Sequence, residues 1–363
     1  MEFIHGRELC RRFFEDIVGP LLTLHFPNLT YTAGLLGYGS DVLGYDDPTS
    51  TDHMWGPRFY LFLEREDLSL APAIEKMLSE NLPTVFCGYS VNFSEPDPGD
   101  NGVRHAEFVD HGPVHPLCWI ETFEDFFEQY LGFPLDGEPD FADWLSFSEH
   151  RLLALSRADL YRDDLNIAAK LAPYARYPED VRIWLMASQW SLISEEQAFP
   201  GRCAMTGDNL GSRLAISRMV SRLMRIAFLC AGEYAPYSKW FGTAFSRLPL
   251  PIGLAESLSD AMTARKFPDR EQALIRAQLL TAELQNQTVF GAELTVERYF
   301  GRSMLVVHPE KMADGLAEKL GGSPLAKLPL CGGLSELENL SVLWDDPQLR
   351  PAAAAFYRSL GRD

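Results

Sequence analysis

A Gly39-Ser40 pair, followed twelve residues later by Asp52, is the stretch of this chain best suited to chemistry. Glycine lets backbone come close to a bound anion, and a serine hydroxyl with neighbouring N–H groups can hold phosphate oxygens. A carboxylate arriving after the next turn is a ligand for Mg²⁺, a hard ion that takes oxygen. Carboxylates at alternate positions of a strand share a face and can clamp two ions across an in-line displacement. Taken alone, the spacing equally fits a Gly/Ser turn before an ordinary loop.

The surrounding elements decide whether such residues can meet. Residues 6–24 read as a helix with Leu9, Phe13 and Ile17 on one stripe, broken by Pro27-Asn28. Residues 29–36 read as a strand running into Gly39-Ser40, and 59–63 as an apolar strand after the turn-rich stretch 44–52. A helix over 70–81 and strands over 84–93 and 117–123 follow, with a Pro/Gly/Asp-rich loop over 94–102. From Trp144 on, strand signals nearly vanish. Ile183, Trp184, Ala187 and Trp190 follow the helix start Pro178-Glu179-Asp180, and 209–230 carries the stripe Ile216, Met219, Val220, Leu223, Ala227. Arg218, Arg222 and Arg225 fall opposite that stripe and read as a solvated face. Further helices are expected over 269–284 and at the end of the chain. The pattern is that of an α+β protein: a mixed-sheet domain over 1–145 followed by an all-helical domain over 146–363.

Composition narrows the chemistry. The chain has 363 residues, long enough for two domains, with 32 Lys+Arg against 51 Asp+Glu and a net charge of −19. Nucleic acid is a poor partner for such a chain, because phosphate contacts need surplus Lys/Arg. A small cationic substrate or a metal suits it better. Six scattered cysteines form no C-x-x-C pair and read as reduced thiols in a cytoplasmic protein. Charged residues through the first twenty-five positions leave no signal-peptide core, and no apolar run approaches the ~20 residues of a membrane span. Walker A, G-x-S-x-G and H-E-x-x-H patterns are absent, which removes P-loop, hydrolase and zincin readings. His105, His111 and His115 stand near Asp110, but in no structural-zinc spacing, and read as surface loop residues.

The segment GYGSDVLGYDDPTSTDHMWGPR resembles an uncharacterised bacterial family of nucleotidyltransferase-like proteins, a domain of unknown function. That family belongs to the polymerase-β-like superfamily and is distantly similar to the aminoglycoside nucleotidyltransferases. The resemblance continues, in order, through HPLCWIETFEDFFEQYLGF, DWLSFSEHRLL, RIWLMASQWSLISEEQAFPGR, GDNLGSRL, YAPYSKWFGTAF, FGRSMLVV and LCGGLSELENLSVLWDDP. It implies a nucleotidyltransferase domain packed on a helical domain. The implied activity is Mg²⁺-dependent transfer of a nucleoside monophosphate from ATP or another NTP to a hydroxyl of a small, aminoglycoside-like acceptor.

Carried over by position, Gly39 and Ser40 match the phosphate-binding pair and Asp52 the first metal carboxylate. The second carboxylate should stand two residues on, where this chain has Met54, a thioether that cannot ligate Mg²⁺. Asp46, Asp47 or His53 would have to assist, or catalysis is weakened or lost. Glu121, on a later strand, is the candidate third carboxylate and second metal ligand. Glu196 matches a family glutamate that would bind a substrate amine or take a hydroxyl proton. Lys239 is the helical-domain lysine that would reach the triphosphate. Two readings stay open: the transferase, and an impaired descendant that binds a nucleotide or a protein partner.

Overall fold

A computed structural model describes residues 2–334 and 346–361; most of the last resembling block, from Ser335 to Asp345, lies outside them. The chain opens on helix α1 (Gly6–Phe13), a π turn (Phe14–Val18) and helix α2 (Gly19–His25), one helical run where the periodicity predicts it. Pro20 follows the π turn. It has no N–H to donate back and crowds the carbonyl four residues earlier, which a widened turn relieves. Strand β1 (Tyr31–Leu35), helix α3 (Ser40–Leu43), a 3-10 turn (Pro48–Asp52), strand β2 (Arg58–Leu63) and helix α4 (Ala71–Asn81) come next. The expected strand over 84–93 is instead two short strands, β3 (Val85–Phe86) and β4 (Tyr89–Ser90), paired through Cys87-Gly88. Both turn residues have positive φ, 47° and 85°, the conformation that folds a hairpin back in two residues. Strand β5 (Leu117–Glu121), helices α5 (Phe123–Leu131), α6 (Phe141–Ser146) and α7 (Glu149–Ser156), strand β6 (Asp159–Asp163) and helix α8 (Ile167–Leu171) continue the chain.

Contacts divide the chain into two units. The first takes residues up to Gly137 together with Arg151–Ala175; the second takes Glu138–His150 and the residues from Arg176 on. In the first, four strands form one mixed sheet in the order β5-β2-β1-β6. β1 lies antiparallel to both β2 and β6, and β2 runs parallel to β5. The register between β1 and β6 shifts at Ala33/Gly34. A Cβ on Gly34 would stand 2.6 Å from the Asp159 carbonyl oxygen, so only glycine admits β6 that close.

β2 reads RFYLFL and is buried along its whole length. Phe59, Leu61 and Leu63 enter a core with Phe13, Phe14, Ile74 and Leu78. Tyr60 and Phe62 face the other way, against Phe126 of α5, with ring centroids 5.0 and 5.4 Å apart. A strand covered on both faces needs apolar residues at every position, which is why this one does not alternate.

The second unit continues with α9 (Glu179–Glu196), α10 (Phe199–Met205), α11 (Asn209–Ala231), α12 (Ser238–Phe245), α13 (Leu254–Thr263) and α14 (Phe267–Asn286). Helices α15 (Glu310–Ala317) and α16 (Arg350–Leu360) end it. α9 is its central helix, with Ile183, Trp184, Met186, Trp190 and Ile193 buried around it and α11 and α15 alongside. The expectation of an all-helical 146–363 needs two corrections: β6 lies within it and joins the sheet of the first unit, and β7 (Glu297–Arg298) and β8 (Leu305–Val306) pair as a short antiparallel ladder. A two-residue ladder leaves no alternation in the sequence to read. The arginines of α11 need another. Arg225 is buried and meets Glu149 at 3.0 Å, whereas Arg218 stays exposed on the expected solvated face and pairs with Glu196 from there. No described helix is long and apolar enough to cross a membrane.

Candidate functional site

Where β1 ends, Gly39 turns the chain at φ 134° and caps α3. The reason for a glycine is close approach. A Cβ here would stand 2.0 Å from Asp41 Oδ1 and 2.6 Å from Arg58 Nη2. Asp41 and Arg58 form a buried ion pair at 2.7 Å, and Arg58 Nη2 also donates to the Tyr38 carbonyl oxygen at 2.8 Å. Burial works against charge on Arg58, but the Asp41 carboxylate overrides it and raises the guanidinium pKa. This pair fixes the β1–α3 turn to the first residue of β2.

A pocket of about 260 Å³ opens beside that turn. Gly39, Ser40 and Tyr38 form one wall; Ser50, His53 and Met54 come from the long loop; Tyr60 and Trp119 come from the sheet. Tyr60 and Trp119 are register partners on β2 and β5 and stack at 4.8 Å with planes 18° apart. Glu121 lies two residues beyond Trp119, so strand alternation puts it on the same face. Burial, with a smaller contribution from the charge of Asp125, pushes the Glu121 carboxyl up to about 7. Tyr60 is pushed up to about 12, chiefly by burial, with Arg58 lowering it and Glu121 raising it.

Of the expected site residues in this unit, the structure brings Gly39, Ser40, His53 and Met54 to the pocket. Asp52 does not sit on a strand, as alternate-position ligands require. It closes the 3-10 turn, six residues before β2, with an exposed carboxylate 2.9 Å from His53 Nδ1. Met54 holds a left-handed backbone, φ 47°. Asp46 is buried and committed to the Gly6 N–H at 2.7 Å and Trp55 Nε1 at 3.1 Å. Asp47 caps the 3-10 turn by accepting from the Thr49 N–H at 2.8 Å. On its other side, His53 Nε2 lies 3.6 Å from Asp100, which His105 Nε2 approaches to 3.5 Å. Asp100 thus brings His53 beside His105, 52 positions further along the chain, a pairing that no spacing announces.

Mg²⁺ asks for several oxygens at ~2.1 Å in near-octahedral array. Among the described residues no three His, Cys, Asp or Glu side chains are gathered to hold a metal. A thioether at 54, two committed aspartates and a Glu121 that burial drives toward neutrality do not fit a resident Mg²⁺.

The remaining expected residues belong to the helical unit. Glu196 ends α9, and Arg218 Nε donates to both of its carboxylate oxygens at 2.8 and 2.9 Å. That bond neutralises the acid expected to meet a substrate amine. Lys239 is the second residue of α12, with its ammonium 4.9 Å from the centroid of the Trp240 ring. Asp208 caps α11 through the Gly211 N–H at 2.8 Å. Arg58, Tyr60 and Trp119 carry no motif; their signal in the sequence is the i, i+2 spacing within the two apolar strands.

No curated protein and no solved structure matches this chain. The model of a domain-of-unknown-function family (DUF4037) matches residues 144–241, about a quarter of the chain and none of the pocket.

Proposed function

We propose that the sheet-containing unit binds a nucleoside triphosphate in the pocket beside Gly39-Ser40, and that this protein is a nucleotidyltransferase-like binder with impaired transfer. The observation that carries the reading is the pairing of two surfaces in one pocket lining: Trp119 stacked on Tyr60 offers a flat aromatic face to a base, while the Gly39-Ser40 turn offers backbone and hydroxyl donors to phosphate. The impairment follows from the donor set, which lacks gathered carboxylates. No metal-borne step is therefore assigned. Transfer of a nucleotide to a hydroxyl of a small, cationic acceptor is the second reading. Glu121 favours it, since a carboxyl near 7 suits a base that takes a hydroxyl proton.

Calorimetric titration with ATP, GTP, CTP and UTP, each with and without Mg²⁺, tests the proposal. One nucleotide is expected to bind without needing the metal, and Trp119→Ala should weaken it by about tenfold, the lower end of a ~1–3 kcal/mol stacking contribution. Failure of all four to bind in either buffer overturns nucleotide binding. Mg²⁺-dependent turnover that Glu121→Gln abolishes would install the transferase instead.

A further inference from the structure

Within the helical unit, a small cavity of about 20 Å³ lies where α10, α11, α14 and β8 meet the residue after α9. Its side-chain walls are apolar apart from Gln197, Gln278 and Glu271. Gln278 is only 2% exposed. Its Nε2 donates to the Leu274 carbonyl oxygen at 3.3 Å, while its Oε1 is buried with no partner. Gln197 repeats the arrangement: Nε2 donates to Glu310 Oε2 at 3.2 Å, and Oε1 is buried with no partner. Neither amide can be turned round. A flip would set an amide oxygen against a carbonyl or a carboxylate, so the acceptor end of each is fixed by what its donor end touches.

Two sealed acceptors without donors are costly, and native interiors rarely leave them so. The geometry points to a resident water molecule in this cavity, giving one hydrogen to Gln197 Oε1 and the other to Gln278 Oε1. The volume is that of a single water, which needs ~10–15 Å³ of accessible space and two to four polar partners. Glu271 also lines the cavity, with one of its oxygens accepting from the Leu305 N–H at 3.0 Å. A hard cation is a worse fit, because it wants six or more oxygens and three side chains here provide them. The water pins the end of α9 to α14. Glu196 precedes Gln197, so its ion pair with Arg218 rests on that pin. The inference is independent of what the other unit binds.

Crystals of the whole chain, wild type and Gln278→Met, would test it, with a Rb⁺ soak for anomalous scattering. The wild type should show one oxygen peak within ~2.7–3.2 Å of both amide oxygens. Gln278→Met should lose that peak with the helices unmoved, and Gln197→Met serves the same purpose if the first variant does not fold. An empty cavity in the wild type, or a Rb⁺ anomalous peak there, overturns the assignment.

Discussion

Gly39 shows how a motif residue can answer to packing before ligand. Its φ of 134° and the 2.0 Å that would separate a Cβ from Asp41 Oδ1 leave no room for a side chain. Gly39→Ala is expected to cost ~2–3 kcal/mol, read as a lowered urea midpoint at unchanged slope. Glu121 makes a second residue-scale prediction. Its carboxyl is raised from 4.5 to about 7 in the folded chain. Below 4.5 both states hold the proton; between 4.5 and 7 only the folded state does, so stability falls as pH rises through that window and the loss is complete above 7. Glu121→Gln should remove that decline. Thermal melts from pH 4.5 to 8 should show the variant gaining on the wild type as pH rises, and parallel curves would refute the shift.

At the scale of elements, the β1–α3 turn and the start of β2 are held by Asp41 and Arg58, both nearly sealed from solvent. Such a pair is weak evidence for net stability, yet breaking it is expensive, because one charge is left buried and unpaired. Asp41→Ala should therefore cost ~3–5 kcal/mol, whereas Asp41→Leu combined with Arg58→Met should recover most of it. Denaturant titrations of Asp41→Leu, of Arg58→Met and of the double decide the matter. Additive losses would mean that the two side chains do not act as a pair. The arginines of α11 follow the same physics. A helical wheel sets three of them on one face, but Arg218 and Arg225 are each matched by an acid from elsewhere in the chain, Glu196 and Glu149.

For the whole molecule, the first unit is discontinuous, because β6 comes back from beyond α7 to cover the free edge of β1. A chain ending at residue 145 keeps every pocket residue but bares that edge, and unpaired edges template aggregation. It is expected to aggregate or show no cooperative melt, while a chain ending at residue 175 melts cooperatively. Circular dichroism with light scattering on the two fragments checks this, and a cooperative melt of the shorter one would show β6 to be dispensable.

The sequence by itself determined the elements whose periodicity is strong. The strands around Tyr31–Leu35, Arg58–Leu63 and Leu117–Glu121 and the helices α4, α9 and α11 are written in apolar spacing, because burial of one face or of both is a local demand on composition. The same spacing gave the Gly39-Ser40 turn its place at the end of β1. It did not set β6 on the edge of β1, since a half-polar strand of five residues has no pattern that names its partner. Nor did it reveal that Gly39 yields to Asp41 and Arg58, that Trp119 stacks on Tyr60, or that His53 and His105 share Asp100. Those contacts, most of them between residues distant in the chain, exist only once register, turn geometry and burial have brought the side chains within a few ångströms. Tertiary structure alone also kept Asp52 off the strand: the chain closes a 3-10 turn and bends through a left-handed Met54 before β2 begins.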